Sequence, residues 1–241
     1  MWGICAIARG LLDLAFPRAC AGCGGAVGSE STHICWNCLA QLWPIRFPYC
    51  SICGNPAAGV IEHDYVCSLC RGKKIFFDHA RSAAHYDGKL ADIIQAFKYD
   101  NATYLSRDLS TLLHACVMVH YVPSGIDSVL FVPLYHRKER ERTYNQAKLL
   151  AGELALLLQK PLLRNCLVRR RETVSQTTLN SVKRRKNVED AFETRNNSWI
   201  EGRRLLLVDD IMTTGATINE CARVLKSAGA VSVCAVTVAR G

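Results

Sequence analysis

Apolar positions in the last third of the chain follow two patterns, which together predict a buried strand leading directly into a helix. Residues Leu205 to Val208 are continuously apolar, as expected of a parallel strand that is buried on both faces. From Ala216 onward, apolar side chains recur at helical spacing, at Ile218, Cys221, Ala222 and Leu225. Asp209, Asp210 and a short turn lie between the two patterns, so these polar residues are predicted at the carboxyl end of a strand.

The preceding part of the chain repeats this alternation of strands and helices. One strand is predicted within Phe76 to Tyr86 and another at Val129 to Val132. Helices are predicted over residues 90–97, 104–120 and 145–160, where apolar positions recur at helical spacing. Such an alternation is typical of an α/β domain built on a parallel sheet.

The first 70 residues differ, because eight of the 13 cysteines form four C-x₂-C pairs there. Eleven residues separate the first two pairs and 13 separate the last two, which suits small ribbons that close a tetrahedral zinc site. Local pairing would give two Cys₄ sites, although cross-braced pairing of the knuckles stays open. Four thiolates leave no position for substrate, so both zinc ions are predicted to be structural. The predicted ligands are Cys20, Cys23, Cys35, Cys38, Cys50, Cys53, Cys67 and Cys70.

These patterns divide the chain of 241 residues into two predicted domains. Residues 1–74 would form a double zinc-ribbon domain, because bound metal supplies stability that so small a core cannot provide. Residues 75–241 would form the α/β domain.

The formal net charge of +9 suggests an anionic partner. Eight thiolates and two Zn²⁺ ions would lower it to about +5, which weakens the argument for nucleic acid. The opening apolar stretch has no basic region ahead of it, so no cleavable signal is predicted. The apolar runs are also too short for a membrane span. We therefore expect a soluble cytoplasmic protein whose reduced thiols bind zinc rather than form disulfides.

The turn after Asp210 has the composition of a phosphate-binding loop. Its backbone N–H groups would lie at a helix N-terminus, where they and the helix dipole attract an anion. Asp209 and Asp210 can accept hydrogen bonds from two vicinal sugar hydroxyls, so the segment predicts a ribose 5-phosphate pocket. The predicted phosphate-binding residues are Thr213, Thr214, Gly215, Ala216 and Thr217.

Two basic stretches are predicted to complete this pocket. The loop at residues 133–138 follows a strand, and loops at the carboxyl ends of neighbouring parallel strands line the ligand site. A diphosphate is assigned there to Pro133, Leu134, His136 and Arg137, with a solvated charged turn as the alternative. Residues 164–186 carry eight basic residues and one acidic residue. They could form a lid, follow a nucleic-acid backbone or be solvated, and their lack of aromatic side chains for base stacking favours the lid.

The segment from Leu205 to Thr217 closely resembles the phosphoribosyl diphosphate loop of type I phosphoribosyltransferases, in which an apolar strand precedes two acidic residues and a T-T-G-x-T turn. The resemblance implies an α/β fold with a Rossmann-like parallel sheet, and phosphoribosyl diphosphate as ligand with Mg²⁺ on its diphosphate. It also implies that Asp209 and Asp210 hold the ribose hydroxyls and that the turn holds the 5-phosphate.

Over essentially the whole chain, the sequence is similar to the ComF family of competence proteins, including its GntX-like members. The zinc knuckles and the phosphate loop carry this resemblance, together with Phe97-Lys98-Tyr99, Val132-Pro133-Leu134, Arg142-x-x-Asn145-Gln146, Thr173-x-Ser175-Gln176-x-x-Leu179, Arg185-x-Asn187 and Ala191-Phe192. The resemblance implies a role in DNA uptake during natural transformation. The lid and anion-binding residues that these motifs suggest are Lys98, Arg142, Asn145, Gln146, Gln176 and Arg185. Family members usually have glycine where Thr143 stands, so a tight turn there is open to question.

Three functions are compatible with these observations. The first is phosphoribosyl transfer, for which Lys98 and His136 are acid–base candidates. Thr213 stands where 6-oxopurine phosphoribosyltransferases have an aspartate base, so purine salvage is not predicted. The second is a non-catalytic nucleotide-binding or single-stranded-DNA-binding competence protein. The third is a zinc-ribbon adaptor that binds a protein of the competence machinery.

Overall fold

A computed structural model describes residues 18–27, 33–59, 61, 64–173 and 187–241. Four parallel strands form its central sheet, in the spatial order β1-β6-β5-β2, and two further strands form a separate antiparallel pair, β3 with β4. The strands are β1 (His79–His85), β2 (Ser128–Phe131), β3 (Leu167–Arg169), β4 (Phe192–Thr194), β5 (Arg204–Met212) and β6 (Ser232–Arg240).

Six α-helices lie within the described ranges. They are α1 (Trp36–Ala40), α2 (Gly88–Tyr99), α3 (Leu105–His120), α4 (His136–Arg142), α5 (Gln146–Leu158) and α6 (Ala216–Ser227). Two short 3₁₀ segments occur at Pro123–Gly125 and Asn197–Trp199. None of the described helices has the length and apolar character needed to cross a bilayer.

After its first residue, Arg204, strand β5 continues with four buried apolar residues, because both faces of the sheet are covered there. Leu206 and Val208 belong to the core on one face of the sheet, which α2, α3 and α5 complete. Leu205 and Leu207 belong to the core on the other face, against α6 and the β3–β4 pair. A run of consecutive buried apolar residues is the pattern that a doubly covered parallel strand produces. The α/β fold class predicted from the sequence is therefore confirmed.

The ribbon region packs along the outer edge of β1. The Ile45 N–H donates to the Ala83 carbonyl at 3.2 Å, and the His85 N–H donates to the Trp43 carbonyl at 2.9 Å. Ala80, also on β1, donates its N–H to the Ile52 carbonyl at 2.9 Å. The ribbon residues thus protect a sheet edge that would otherwise expose unpaired backbone groups. The domain boundary near residue 75 stays a prediction.

The structure differs from the sequence-based elements at two places. Strand β5 continues past Val208 to Met212, because β6 is long enough to pair with Asp209, Ile211 and Met212. The polar loop expected at residues 133–138 ends earlier, because residues 136–138 belong to helix α4, which continues to Arg142. That helix is rich in good helix formers, and Arg137 pairs with Glu141 one turn further on, with Nε 2.9 Å from Oε1.

Two glycines that occupy equivalent positions in the knuckles give a test of this packing. Gly24 and Gly54 both follow a second cysteine, with φ values of +72° and +65°. A Cβ atom at Gly54 would lie 2.8 Å from the Ala80 carbonyl oxygen, whereas nothing lies within 4 Å of one at Gly24. We expect Gly54→Ala to lower the free energy of unfolding by about 2–4 kcal/mol and Gly24→Ala by about 1 kcal/mol. Urea denaturation of the zinc-loaded protein measures both, and equal losses would contradict the docking of the second knuckle on β1.

Candidate functional site

The acidic pair lies in the last part of β5 and faces a cavity of about 270 Å³. The Asp210 N–H donates to Asp209 Oδ1 at 2.9 Å, and the Ile211 N–H donates to Asp210 Oδ1 at 2.7 Å. These local bonds fix the orientation of both carboxyl groups. Because β2 is the neighbour of β5, with the Val132 N–H donating to the Val208 carbonyl at 3.0 Å, the segment after β2 begins beside the acidic pair.

Lys98, in the last turn of α2, forms an ion pair with the second aspartate. Its Nζ lies 2.8 Å from Asp210 Oδ2, and each side chain is 14% exposed. Burial alone would lower the pKa of Lys98, but the charge and hydrogen bond of Asp210 raise it above the ordinary value. Lys98 therefore stays protonated near neutral pH, and it serves as a cation at this site rather than as a base.

The neighbouring carboxyl group behaves differently. Burial, followed by the charge of Asp210, raises the pKa of Asp209 to about 8. Two adjacent aspartates are thus distinguished by their surroundings, since Lys98 lies against only one of them. At neutral pH in the ligand-free site, the Asp209 carboxyl group is therefore mainly protonated.

The turn between β5 and α6 forms a second, smaller recess of about 20 Å³. Gly215 has a φ of +76°, in the left-handed region that favours glycine, and a Cβ atom there would displace the end of the Met212 side chain, whose Cε would lie 2.6 Å away. Helix α6 begins at Ala216, which places its N-terminal amide groups at the recess. Asp209, Thr213 and Thr217 line both the recess and the larger cavity, so the two spaces are adjacent.

Cationic side chains line the larger cavity together with the acidic pair. Besides Lys98, they are Lys138 and Arg142 from α4 and Arg169 from β3. Burial and the charge of Arg169 lower the pKa of Lys138, and burial also lowers the pKa of Arg169. The Nε atom of Arg169 is buried and has no hydrogen-bond partner within the described part of the chain. This wall is therefore suited to an anion.

Arg169 and Arg142 are held in place by aromatic and polar neighbours. The guanidinium of Arg169 lies 5.2 Å from the ring centroid of Phe192 and donates to the Thr173 hydroxyl. Arg142 donates to Gln146 Oε1 at 3.2 Å and to the Tyr99 hydroxyl at 3.1 Å. Fixed guanidinium groups lose less conformational freedom when an anion binds.

The predicted site residues near β2 fall into two groups. Leu134, Asn145 and Gln146 line the cavity. Asn145 and Gln146 are buried, and Asn145 both caps α5 and donates to the Val132 carbonyl at 3.1 Å.

Other residues predicted to bind the diphosphate lie outside the cavity lining. Pro133 is buried beside it, and the His136 ring packs on Tyr135 at 4.0 Å between centroids. Arg137 is exposed and pairs with Glu141 and Glu172. Their assignment stays a prediction, as does that of Gln176 and Arg185, which are outside the described residues.

Sequence reasoning missed several of the residues that line the cavity. Arg169 was counted within a basic segment, with nothing in the pattern to distinguish it from Arg170 and Arg171. Tyr86 and Gln95 carry no local signal, and Thr173 is marked only by its family motif, because the folding of separate elements brings them together.

Thr143 keeps the backbone conformation of a glycine-containing turn. It follows α4 with a φ of +66°, in the left-handed region. Its hydroxyl donates to Asn101 Oδ1 at 3.0 Å and to the Arg142 carbonyl. The turn therefore persists with a threonine, at an expected strain of about 1 kcal/mol.

The knuckle cysteines group locally rather than across the ribbons. Cys20, Cys23, Cys35 and Cys38 have all their sulfur atoms within 4.8 Å of one another, and so do Cys50, Cys53, Cys67 and Cys70. The Sγ–Sγ distances of 3.7 Å for Cys23–Cys35 and 3.6 Å for Cys53–Cys67 match the separation of about 3.8 Å that a tetrahedron with Zn–S bonds of about 2.3 Å requires. Both clusters therefore fit a structural zinc ion.

Comparison with known proteins agrees with this architecture. A model of the double zinc ribbon domain matches residues 11–71, and a model of the phosphoribosyl transferase domain matches residues 146–241. The parallel sheet, the loop after β5 and the paired Cys₄ clusters define a phosphoribosyltransferase-like protein with a double zinc ribbon.

The relatives narrow this class to one family. Competence protein F of Haemophilus influenzae is 32% identical over 89% of this chain and 93% of its own length. DNA utilization protein YhgH of Escherichia coli K12 is 28% identical over 83% of this chain and 93% of its own length. Competence protein ComFC of Bacillus subtilis is 29% identical over 86% of this chain and 84% of its own length. The chain belongs to the family of competence protein F, as its motifs predicted.

The raised pKa of Asp209 predicts that its contribution to the free energy of unfolding decreases as the pH rises, whereas that of a carboxylate with a lowered pKa increases. The pKa in the folded state lies above the unfolded value, so the stabilisation is complete below about pH 4 and is lost as the pH rises toward 8. Asp209→Asn removes this titration and keeps an oxygen for the Asp210 N–H. We expect the free energy of unfolding of the variant, relative to wild type, to increase by more than about 1 kcal/mol between pH 5 and pH 8. Denaturant titrations at both pH values measure it. Exposed Asp100→Asn is the control, and a difference that is constant with pH would refute the assignment.

Proposed function

We propose that the cavity binds phosphoribosyl diphosphate or a closely related sugar phosphate, and that the protein uses this site in DNA uptake or utilisation. The observation that carries the proposal is that three features adjoin one another. A recess at a helix N-terminus shares lining residues with a cavity that an acidic pair and a cationic wall line together.

Each group of the ligand matches one of these features. The 5-phosphate would occupy the recess formed by Thr213 to Thr217. The ribose hydroxyls would bond to Asp209 and Asp210, which line the space next to it. The diphosphate on C1 would then extend toward Lys138, Arg142 and Arg169.

Ligand binding would rearrange the charges of the empty site. In the empty site, the Lys98 ammonium is paired with the Asp210 carboxylate. A ribose hydroxyl that donates to Asp210 would compete with this ion pair. Hydroxyl donors to Asp209 favour its ionised form, so its pKa should fall on binding. Because Asp209 carries a proton below about pH 8 when the site is empty, binding at pH 7 should release a proton.

Mg²⁺ fits this site as a companion of the ligand rather than as a resident ion. Asp209 and Asp210 are the only carboxylates among the described residues that line the cavity, and Mg²⁺ is commonly held by one or two carboxylates together with substrate phosphates. When bound, it would neutralise charge on the diphosphate leaving group.

The chemistry that these residues support is displacement at C1. A nucleophile would form a bond to C1 while the C1–oxygen bond breaks and diphosphate leaves with the electron pair. The protein's contribution is positioning and charge stabilisation by its fixed cations. Thr213 carries no basic side chain, so an acceptor that needs deprotonation by the turn is not favoured.

Calorimetry with phosphoribosyl diphosphate and Mg²⁺ tests the binding proposal. We expect wild type to bind, and Asp209→Asn with Asp210→Asn to weaken binding at least tenfold, because neutral amides are poorer acceptors for the ribose hydroxyls. Titrations at pH 7 in buffers of different ionisation enthalpy should reveal release of a proton by wild type and none by Asp209→Asn. Asp100→Asn is the matched exposed control. No binding by wild type, or equal binding by the double variant, would refute the proposal.

Single-stranded DNA is a second candidate ligand, because exposed aromatic and cationic side chains lie together on the ribbon. Trp43 is 68% and Phe47 is 66% exposed. Trp43 lines a groove of about 740 Å³ with Arg46 and with Lys89 at the start of α2. Aromatic platforms beside positive charge suit stacked bases and their backbone. In the basic segment, by contrast, Arg171 already donates to the carbonyls of Asn187 and Glu189.

Fluorescence anisotropy with a labelled oligothymidylate tests this second function. Wild-type affinity should fall steeply with salt, because cations release counterions from the phosphates. Trp43→Ala with Phe47→Ala should weaken binding about tenfold or more, on the basis of about 1–3 kcal/mol per stacked base. Trp199→Ala, which removes a 51% exposed tryptophan elsewhere on the protein, is the control. A flat salt response, or the same loss with Trp199→Ala, would remove this function.

A further inference from the structure

Arg240, at the end of β6, joins the second zinc cluster to the sheet. The residue is only 3% exposed. Its Nη2 donates to Cys53 Sγ at 3.5 Å and to Asn55 Oδ1 at 3.0 Å, and its Nε donates to the same amide oxygen at 3.2 Å. Two donors of the guanidinium are thus directed at one knuckle.

The backbone of the same residue helps to hold the start of the phosphate turn. Arg240 is the register partner of Met212, the residue immediately before Thr213. The Tyr86 N–H donates to the Arg240 carbonyl at 2.7 Å, and the Gly241 N–H donates to the Met212 carbonyl at 3.0 Å. A displacement of Arg240 would therefore disturb the end of β5 and the turn that follows.

The contact of Arg240 with the zinc cluster is electrostatic, because the guanidinium is positively charged. A Cys₄ site that holds Zn²⁺ has a net charge of −2, and a buried guanidinium needs such a partner. The Nη1 atom of Arg240 is buried without a hydrogen-bond partner among the described residues, so the side chain has few alternative contacts. If the knuckle loses its metal, Arg240 loses both its anionic neighbour and the fixed position of Asn55.

The first zinc cluster contacts different elements. Cys20 and Cys38 pack in the core that α2 and α3 share, on the other face of the sheet from α6. Near this cluster, His33 bonds to Asp108 on α3, with its N–H 3.0 Å from Oδ2. The two clusters are therefore expected to have different effects on the phosphate turn.

We propose that Arg240 is a positioning residue, through which zinc bound at the second cluster keeps the turn at Thr213 to Thr217 in its ligand-binding conformation. The turn is then ordered only while Cys50, Cys53, Cys67 and Cys70 hold their metal. The consequence for ligand affinity rests on the proposed function, whereas the coupling between cluster and turn does not.

Hydrogen exchange of the full-length, zinc-loaded protein tests the coupling without any ligand. Cys67→Ser disables the second cluster and leaves Arg240 and both of its acceptor residues in place. We expect it to accelerate exchange of the two amides that bond to carbonyl groups at the ends of the turn, Gly241 to Met212 and Asn219 to Gly215, about tenfold or more. Arg240→Met should do the same. Cys38→Ser, the matched change in the first cluster, should leave these amides unchanged. Each cysteine variant should retain one zinc ion, measured by metal analysis.

The double variant distinguishes coupling from general loss of stability. If Arg240 transmits the effect, the amides of Asn219 and Gly241 should exchange no faster in Arg240→Met with Cys67→Ser than in either single variant. Additive acceleration, no acceleration, or an equal effect of Cys38→Ser would overturn the proposal.

Wild type provides an arm that does not depend on any cysteine variant folding. Stepwise withdrawal of zinc by a chelator should accelerate hydrogen exchange of the Asn219 and Gly241 amides in wild type. It should have no further effect on these amides in Arg240→Met. Acceleration of the same size in both proteins would also overturn the proposal. Calorimetry with phosphoribosyl diphosphate on the same samples separates the two questions, because failure of wild type to bind would count against the proposed function while the exchange data still decide the coupling.

Discussion

The parallel ladder between β5 and β6 is the interaction on which the rest of the site depends. Its hydrogen bonds continue beyond the doubly buried Leu205–Val208 run to Met212, so the acidic pair is held within a strand rather than in a loop. The same ladder sets where the turn at Thr213 to Thr217 starts and where α6 begins. Because β6 is itself paired with β1 on its other side, this end of β5 cannot shift without disturbing two further strands.

Extending a strand into a polar site creates an electrostatic problem, which the neighbouring elements solve. Two adjacent carboxylates near a sheet would repel each other if both were ionised. Lys98, supplied by α2, stabilises the charge on Asp210, while Asp209 retains a proton. The cations of α4 and β3 line the same cavity. Their positive charge exceeds the negative charge that the acidic pair provides.

The zinc region acts as part of the sheet rather than as an appendage. Its backbone bonds to the edge of β1, its first cluster joins one face of the core and its second cluster joins the other. Gly54 is required where the second knuckle approaches the Ala80 carbonyl. Metal-stabilised loops can take such a position because zinc supplies the rigidity that their few apolar side chains cannot.

The sequence by itself determined the features that depend on neighbours along the chain. The C-x₂-C spacings specified two Cys₄ clusters that suit zinc, and the apolar run followed by Asp209, Asp210 and the T-T-G-x-T turn specified a strand, a polar turn and a helix. These signals are readable because each involves residues within one or two turns of backbone. Helix α4 shows the limit of local reading, since its charged residues fit a solvated loop as well as a helix until Arg137 and Glu141 are seen to pair.

Only the tertiary structure decided which distant side chains meet. The pairing of Lys98 with Asp210, the placement of Arg169 at the cavity and the contact of Arg240 with Cys53, which is 187 residues away, leave no periodic or spaced pattern. Lysine and arginine are common in this chain, and a basic residue that faces solvent looks the same in sequence as one that faces a carboxylate. The packing of separate elements selects among them, because only burial makes an unpaired charge costly enough to require a particular partner.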